Sequence, residues 1–74
     1  MIFLVDLNAL KGVIVAAGEN QSILADAMGM TIARLNARFT GRVEFSAPEM
    51  EFIKNRYQLS NETFMEIFFC SKVS

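Results

Sequence analysis

The sequence predicts an all-α fold: five short helices in a single domain spanning residues 1–74, with a helix-turn-helix at about 20–40 and an apolar N-terminal arm at 1–6. Three observations predict it. Polar residues suited to helix caps, Asp6, Asn20, Thr31, Ser46 and Ser60, each precede a stretch whose apolar residues recur every three or four positions. Gly18, Gly29 and Gly41 follow the first three stretches, where a helix end needs a residue tolerant of left-handed backbone. Finally, 74 residues leave room for only one core.

The elements follow in order. Asp6 caps a first helix over about 7–17, with Leu7, Leu10, Ile14 and Ala17 on one face. Asn20 caps a second, Gln21 to Met28, with Ile23, Leu24 and Ala27 as its apolar stripe. Thr31 caps a third that runs to about Phe39, in which Ile32, Leu35 and Phe39 share a face. Ser46-Ala47-Pro48-Glu49 is the clearest start: a serine cap, proline in the first turn and glutamate three residues on make a capping box. Met50, Ile53 and Tyr57, flanked by Phe52, give that fourth helix its inner face. Ser60 caps a fifth through about Phe69, striped by Phe64, Ile67 and Phe68. No strand is strongly signalled, although Met1 to Val5 or Val43 to Phe45 could pair as an edge.

Composition narrows the function. The chain has no histidine, which removes the usual general base and the commonest transition-metal ligand, so catalysis is not expected. The eight carboxylates are scattered over helix starts and solvent faces, where a hydrated surface is the expectation. The glycines do not match a phosphate-binding loop, and the lone Cys70 supports neither a disulfide nor a Cys-x-x-Cys metal site. No cofactor, metal or small-molecule substrate is therefore expected. The opening Met1-Ile2-Phe3-Leu4-Val5 is too short for a signal core or a membrane span, so a cytoplasmic protein without a membrane partner is expected. At 53% hydrophobic residues and a mean hydropathy of +0.32, the chain is more apolar than one small core needs, which suggests a homodimer.

Helices two and three carry the functional expectation. A short helix, a tight turn containing Gly29 and a second short helix is the arrangement that presents a recognition helix to the major groove. Ala25 lets the helices approach, Met30 plugs the turn, and Leu24, Met28 and Leu35 close the space between them. An ordinary helical hairpin would share this spacing. Charge favours the first reading. The net charge is −1, yet Arg34, Arg38 and Arg42 stand without an acid in residues 27–43, a local +3 between two flanks of −2 each. Arg34 and Arg38, four apart, should stack on one side of helix three and reach DNA together, with no carboxylate to balance them. Asn36 suits an adenine edge, while Gln21, Ser22 and Thr31 at helix starts suit phosphates.

These residues also resemble a known group. Leu10-Lys11-Gly12-Val13-Ile14-Val15, Gly18, Gln21, Leu24-Ala25, Gly29-Met30-Thr31, Leu35-Asn36 and Arg38-Phe39 resemble small phage repressors of the Cro type. Phe45-Ser46, Glu51-Phe52-Ile53, Leu59-Ser60 and Glu66-Ile67-Phe68-Phe69 look like one set of them, from phages and prophages of low-GC Gram-positive bacteria. The resemblance covers about residues 8 to 69. It implies a lambda-repressor-like domain that binds a double-stranded operator without a cofactor and acts in the switch between lysis and lysogeny, in a bacterial host cell. The chain departs from the pattern at Ile32 and Ala33, where such proteins usually place polar residues after the opening threonine. Neither can hydrogen-bond a base edge, though either can touch a thymine methyl.

For the dimer, the expected contact is Phe3 from the arm with Phe64, Met65, Phe68 and Phe69 from helix five; an arm completing the monomer's own core is the alternative. A rival function is a protein-binding module, such as an antirepressor, built on the same scaffold and supported by the acidity and by Ile32 and Ala33.

Overall fold

Each N-cap side chain closes its helix locally, and the computed structural model, which describes residues 3–71, places five helices where these signals fall. They are α1 (Leu7–Ala16), α2 (Gln21–Ala27), α3 (Ile32–Phe39), α4 (Ala47–Arg56) and α5 (Asn61–Phe68). Asp6, Asn20, Thr31, Ser46 and Ser60 each accept the backbone N–H three residues on, at 3.2, 2.9, 3.1, 3.3 and 3.1 Å, satisfying a donor that the helix itself cannot. The α4 start is a complete capping box, since the Glu49 carboxylate accepts the Ser46 N–H in return at 2.9 Å.

Four of the five helix ends share one motif. After α2, the Gly29 N–H donates to the Asp26 carbonyl and the Met30 N–H to the Ala25 carbonyl, both at 3.0 Å, with Gly29 in the left-handed region at φ +71°. This paired closure turns the chain sharply and occupies two carbonyls that α2 leaves open. The ends of α1, α3 and α4 repeat it, but at α4 the left-handed position falls on Gln58, at φ +52°.

The core draws on every helix. Leu10 and Ile14 of α1, Leu24 and Ala25 of α2, Leu35 and Phe39 of α3, Ile53 of α4 and Ile67 and Phe68 of α5 are buried around Phe45 from the loop before α4. Phe45 joins two helices by ring contacts, tilted against Phe39 at 6.1 Å and edge-on to Phe68 at 5.4 Å. Ala25 of α2 is buried in this core with no side chain beyond Cβ, which suits a close approach of helices.

Of the two segments that could pair as an edge, the N-terminal run does so. Phe3–Leu4 (β1) pairs antiparallel with Cys70–Ser71 (β2), Phe3 opposite Ser71 and Leu4 opposite Cys70, and the Asp6 N–H donates to the Ile67 carbonyl at 2.7 Å. Val43 to Phe45 stays a loop. Among the described residues, no helix is long and apolar enough to cross a membrane.

Three expectations about faces are corrected. Ile32 does not join Leu35 and Phe39 in the core but is 51% exposed, and the α2 stripe is Leu24 with Ala25 rather than Ile23, Leu24 and Ala27. On α1, Ala17 is the exposed C-cap. In a helix as short as α2 or α3 only a narrow strip is buried, so a residue one position off its centre faces water.

Candidate nucleic-acid interface

α2 and α3 bring three of the expected residues, Ser22, Thr31 and Ile32, around one cleft. Gln21 opens α2 half-buried, and Ser22 beside it is exposed. Thr31, Ile32, Ala33, Arg34 and Asn36 are exposed along α3, and Arg42 is exposed in the loop that follows. At 100° per residue, Ala33 and Ala37 lie midway across the outward face, between Arg34 on one side and Asn36 on the other. That face therefore has small side chains along its centre and polar ones at its edges. The Thr31 hydroxyl oxygen is occupied by the Arg34 N–H, which holds the start of α3 in place.

Arg38 departs from its expected role. Its Nε donates to Glu49 Oε1 at 2.9 Å and its Nη1 to the Arg34 carbonyl at 2.9 Å, and the side chains of Arg38 and Glu49 are only 11% and 20% exposed. The expectation that no carboxylate balances the helix-three arginines is thus overturned: Glu49, eleven residues away on α4, does so. Arg38 borders the buried stripe on the side that meets α4, whereas Ile32 borders it on the side that opens to water. Among the described residues, Arg34 and Arg42 have no carboxylate partner.

Glu49 serves two elements at once, through one oxygen that accepts from both Arg38 and the Ser46 backbone. The Arg38 guanidinium is the larger cause, with the Ser46 N–H helping, of a carboxyl held below its ordinary range despite some burial. A second tie joins the end of α1 to the end of α4. Arg56 grips Glu19 with two bonds, 3.0 and 2.7 Å, and the Tyr57 hydroxyl donates to Glu19 Oε1 at 2.9 Å. Those bonds, that from Arg56 foremost, lower the Glu19 pKa, while burial and the neighbouring carboxylate push Tyr57 up to about 12. Neither Glu19 nor Glu49 is therefore the freely hydrated carboxylate expected from sequence.

Between the starts of α2 and α3 lies an open cleft of about 350 Å³, lined by Ser22, Ile23, Asp26, Met30, Thr31 and Ile32 among others. Ile23 and Asp26 were absent from the expected site. Their signal was present but ambiguous, because Ile23 has the helical spacing of a core residue.

The dimer contact predicted on α5 divides. Phe68 is 3% exposed and packed on Phe45 and Phe64, so it is a core residue and is not available to a partner. Phe64 is half-buried, with the Lys54 ammonium 5.3 Å from its ring centre, and Phe69 is half-buried against Phe64 at 6.0 Å. Met65 is exposed. The side chain of Phe3, like Met1 and Ile2, lies outside the described residues. No family model, curated protein or solved structure matches this chain.

Proposed function

We propose that the chain is a sequence-specific, double-stranded-DNA-binding transcriptional regulator of the small Cro-like repressor type, with a lambda-repressor-like fold and α3 as its recognition helix. One observation carries the reading. The outward side of α3 has exposed Ala33 and half-buried Ala37 along its centre and exposed Arg34 and Asn36 at its edges, so the first turns of the helix can sit deep in a major groove while both polar side chains reach outward. The tight turn at Gly29 supports the same reading by joining α2 directly to α3, and half-buried Gln21 with exposed Ser22, Thr31 and Arg42 offers donors to phosphates on either side.

In this reading, Arg38 positions the recognition helix rather than touching DNA. Its bond to Glu49 ties the second half of α3 to the start of α4, and its bond to the Arg34 carbonyl caps part of that helix. Arg34 and Arg42 then carry the electrostatic attraction. A homodimer bound to an operator with two half-sites is the expected assembly. Met65 is the exposed α5 residue offered to that contact.

Selection of bound duplexes from a random DNA pool by the purified protein, followed by sequencing, tests the proposal. Enrichment of paired half-sites about one helical turn apart supports a dimeric regulator, and a single short site supports a monomeric one. Absence of any enrichment refutes DNA reading and favours the protein-binding module, to which the exposed Ile23 and Ile32 would then belong.

A further inference from the structure

The cleft between α2 and α3 carries two exposed isoleucines, Ile23 and Ile32, among the polar residues Ser22, Asp26 and Thr31. Ile32 and Ile23 stand 51% and 43% exposed on it, although the buried residues of both helices, Leu24, Ala25, Leu35 and Phe39, already complete the core without them. At the start of α3 few side-chain groups can hydrogen-bond a base edge. The Thr31 hydroxyl oxygen accepts the Arg34 N–H, and Ile32 and Ala33 bear no polar atom beyond the backbone.

The apolar ground is also small. Two half-exposed isoleucines bounded by Ser22, Thr31 and Asp26 fall far short of the roughly 800 Å² per partner that a standard protein interface buries. They do match a single methyl group. On the major-groove edge of ordinary DNA, the C5 methyl of thymine is the one apolar group a side chain can meet. The surroundings agree with that occupant. Arg34, two residues beyond Ile32, supplies a cation without a carboxylate partner among the described residues, complementary to the duplex as a whole. Asp26 lines the cleft and would repel a phosphate from it, while its oxygens can accept the adenine amine that a T·A pair shows beside the methyl.

We infer that the Ile23–Ile32 cleft reads a thymine 5-methyl group in each operator half-site, so that sequence preference at this position comes from apolar contact instead of a hydrogen bond. The inference rests on the DNA-binding reading above.

The test uses the full chain and the duplex recovered by selection. Each thymine is replaced in turn by deoxyuridine, which removes the methyl and nothing else, and affinity is measured by competition. One thymine per half-site is expected at which the replacement weakens binding about fourfold per half-site, the factor that burying one methyl group provides. Ile32→Ala, at an exposed position where alanine suits a helix, should bring the thymine-to-uracil ratio at that thymine close to one and leave the ratios elsewhere unchanged. Equal affinity for thymine and uracil duplexes at every position, or an undiminished ratio in Ile32→Ala, overturns the methyl contact while DNA reading stands. Failure to select any duplex overturns both.

Discussion

Replacing Glu49 with glutamine isolates the tie between the proposed recognition helix and α4. Glutamine can still accept the Ser46 N–H, so the capping box survives and the principal loss is the charge facing Arg38. A hydrogen bond to a charged group contributes about 1.5–3 kcal/mol, and a fully exposed ion pair about 0.2–1 kcal/mol. This pair lies between those limits, with side chains 11% and 20% exposed, and glutamine retains a weaker neutral bond. The expected loss is about 1–1.5 kcal/mol, which in a domain of this size lowers the Tm by about 5–10 °C. The pH dependence has a definite sign. Because the folded-state pKa of Glu49 lies below its ordinary value of 4.5, the stabilisation is complete above that value and disappears as pH falls through the folded one. Thermal melts followed by circular dichroism should therefore separate the two proteins at neutral pH and bring them together as pH falls through the folded-state value. Coincident melts at neutral pH would refute the argument. So would a gap that persists in acid, which would place the effect in packing. Pairing the change with Arg38→Met should cost much less than the sum of the two single changes.

Further outcomes follow from the same geometry. Gln58→Gly should stabilise the protein by about 1 kcal/mol, since glycine relieves a left-handed backbone at the end of α4; an unchanged urea midpoint would argue against strain there. Tyr57 is the chain's one tyrosine, so ultraviolet titration reads it directly, with an expected midpoint of about 12. Because that value lies above the ordinary 10.0, its contribution to stability is present below pH 10 and is lost as pH rises through about 12, and Glu19→Gln should move the midpoint down only part of the way, because burial remains. Arg34→Ala should weaken operator binding and flatten its salt dependence by about one unit of slope, whereas Arg38→Met should lower affinity with the slope kept, as expected for a residue that positions the helix.

The five helices and their ends were legible because their determinants are local. A cap residue, the donor three positions on and the left-handed residue after the last turn all sit within one helical turn, so Asp6, Asn20, Thr31, Ser46 and Ser60 announce their helices regardless of the rest of the chain. The basic stretch 27–43 was legible for the same reason. Gln58 was not, because its left-handed backbone follows from how α4 ends and not from any preference of glutamine.

Tertiary packing alone decided what the boundary residues do. Ile32 and Arg38 occupy opposite margins of one buried stripe, and periodicity placed the first inside and the second outside. The packing reverses both, because α4 brings Glu49 against one margin while the other, at Ile32, is left exposed among the described residues. Glu19 and Arg56 meet across 37 positions, and Phe3–Leu4 pairs with Cys70–Ser71 from the opposite end of the chain. Short-range physical chemistry thus sets where helices start and stop. Which of their edges are paired, buried or left open depends on neighbours that only the folded chain supplies.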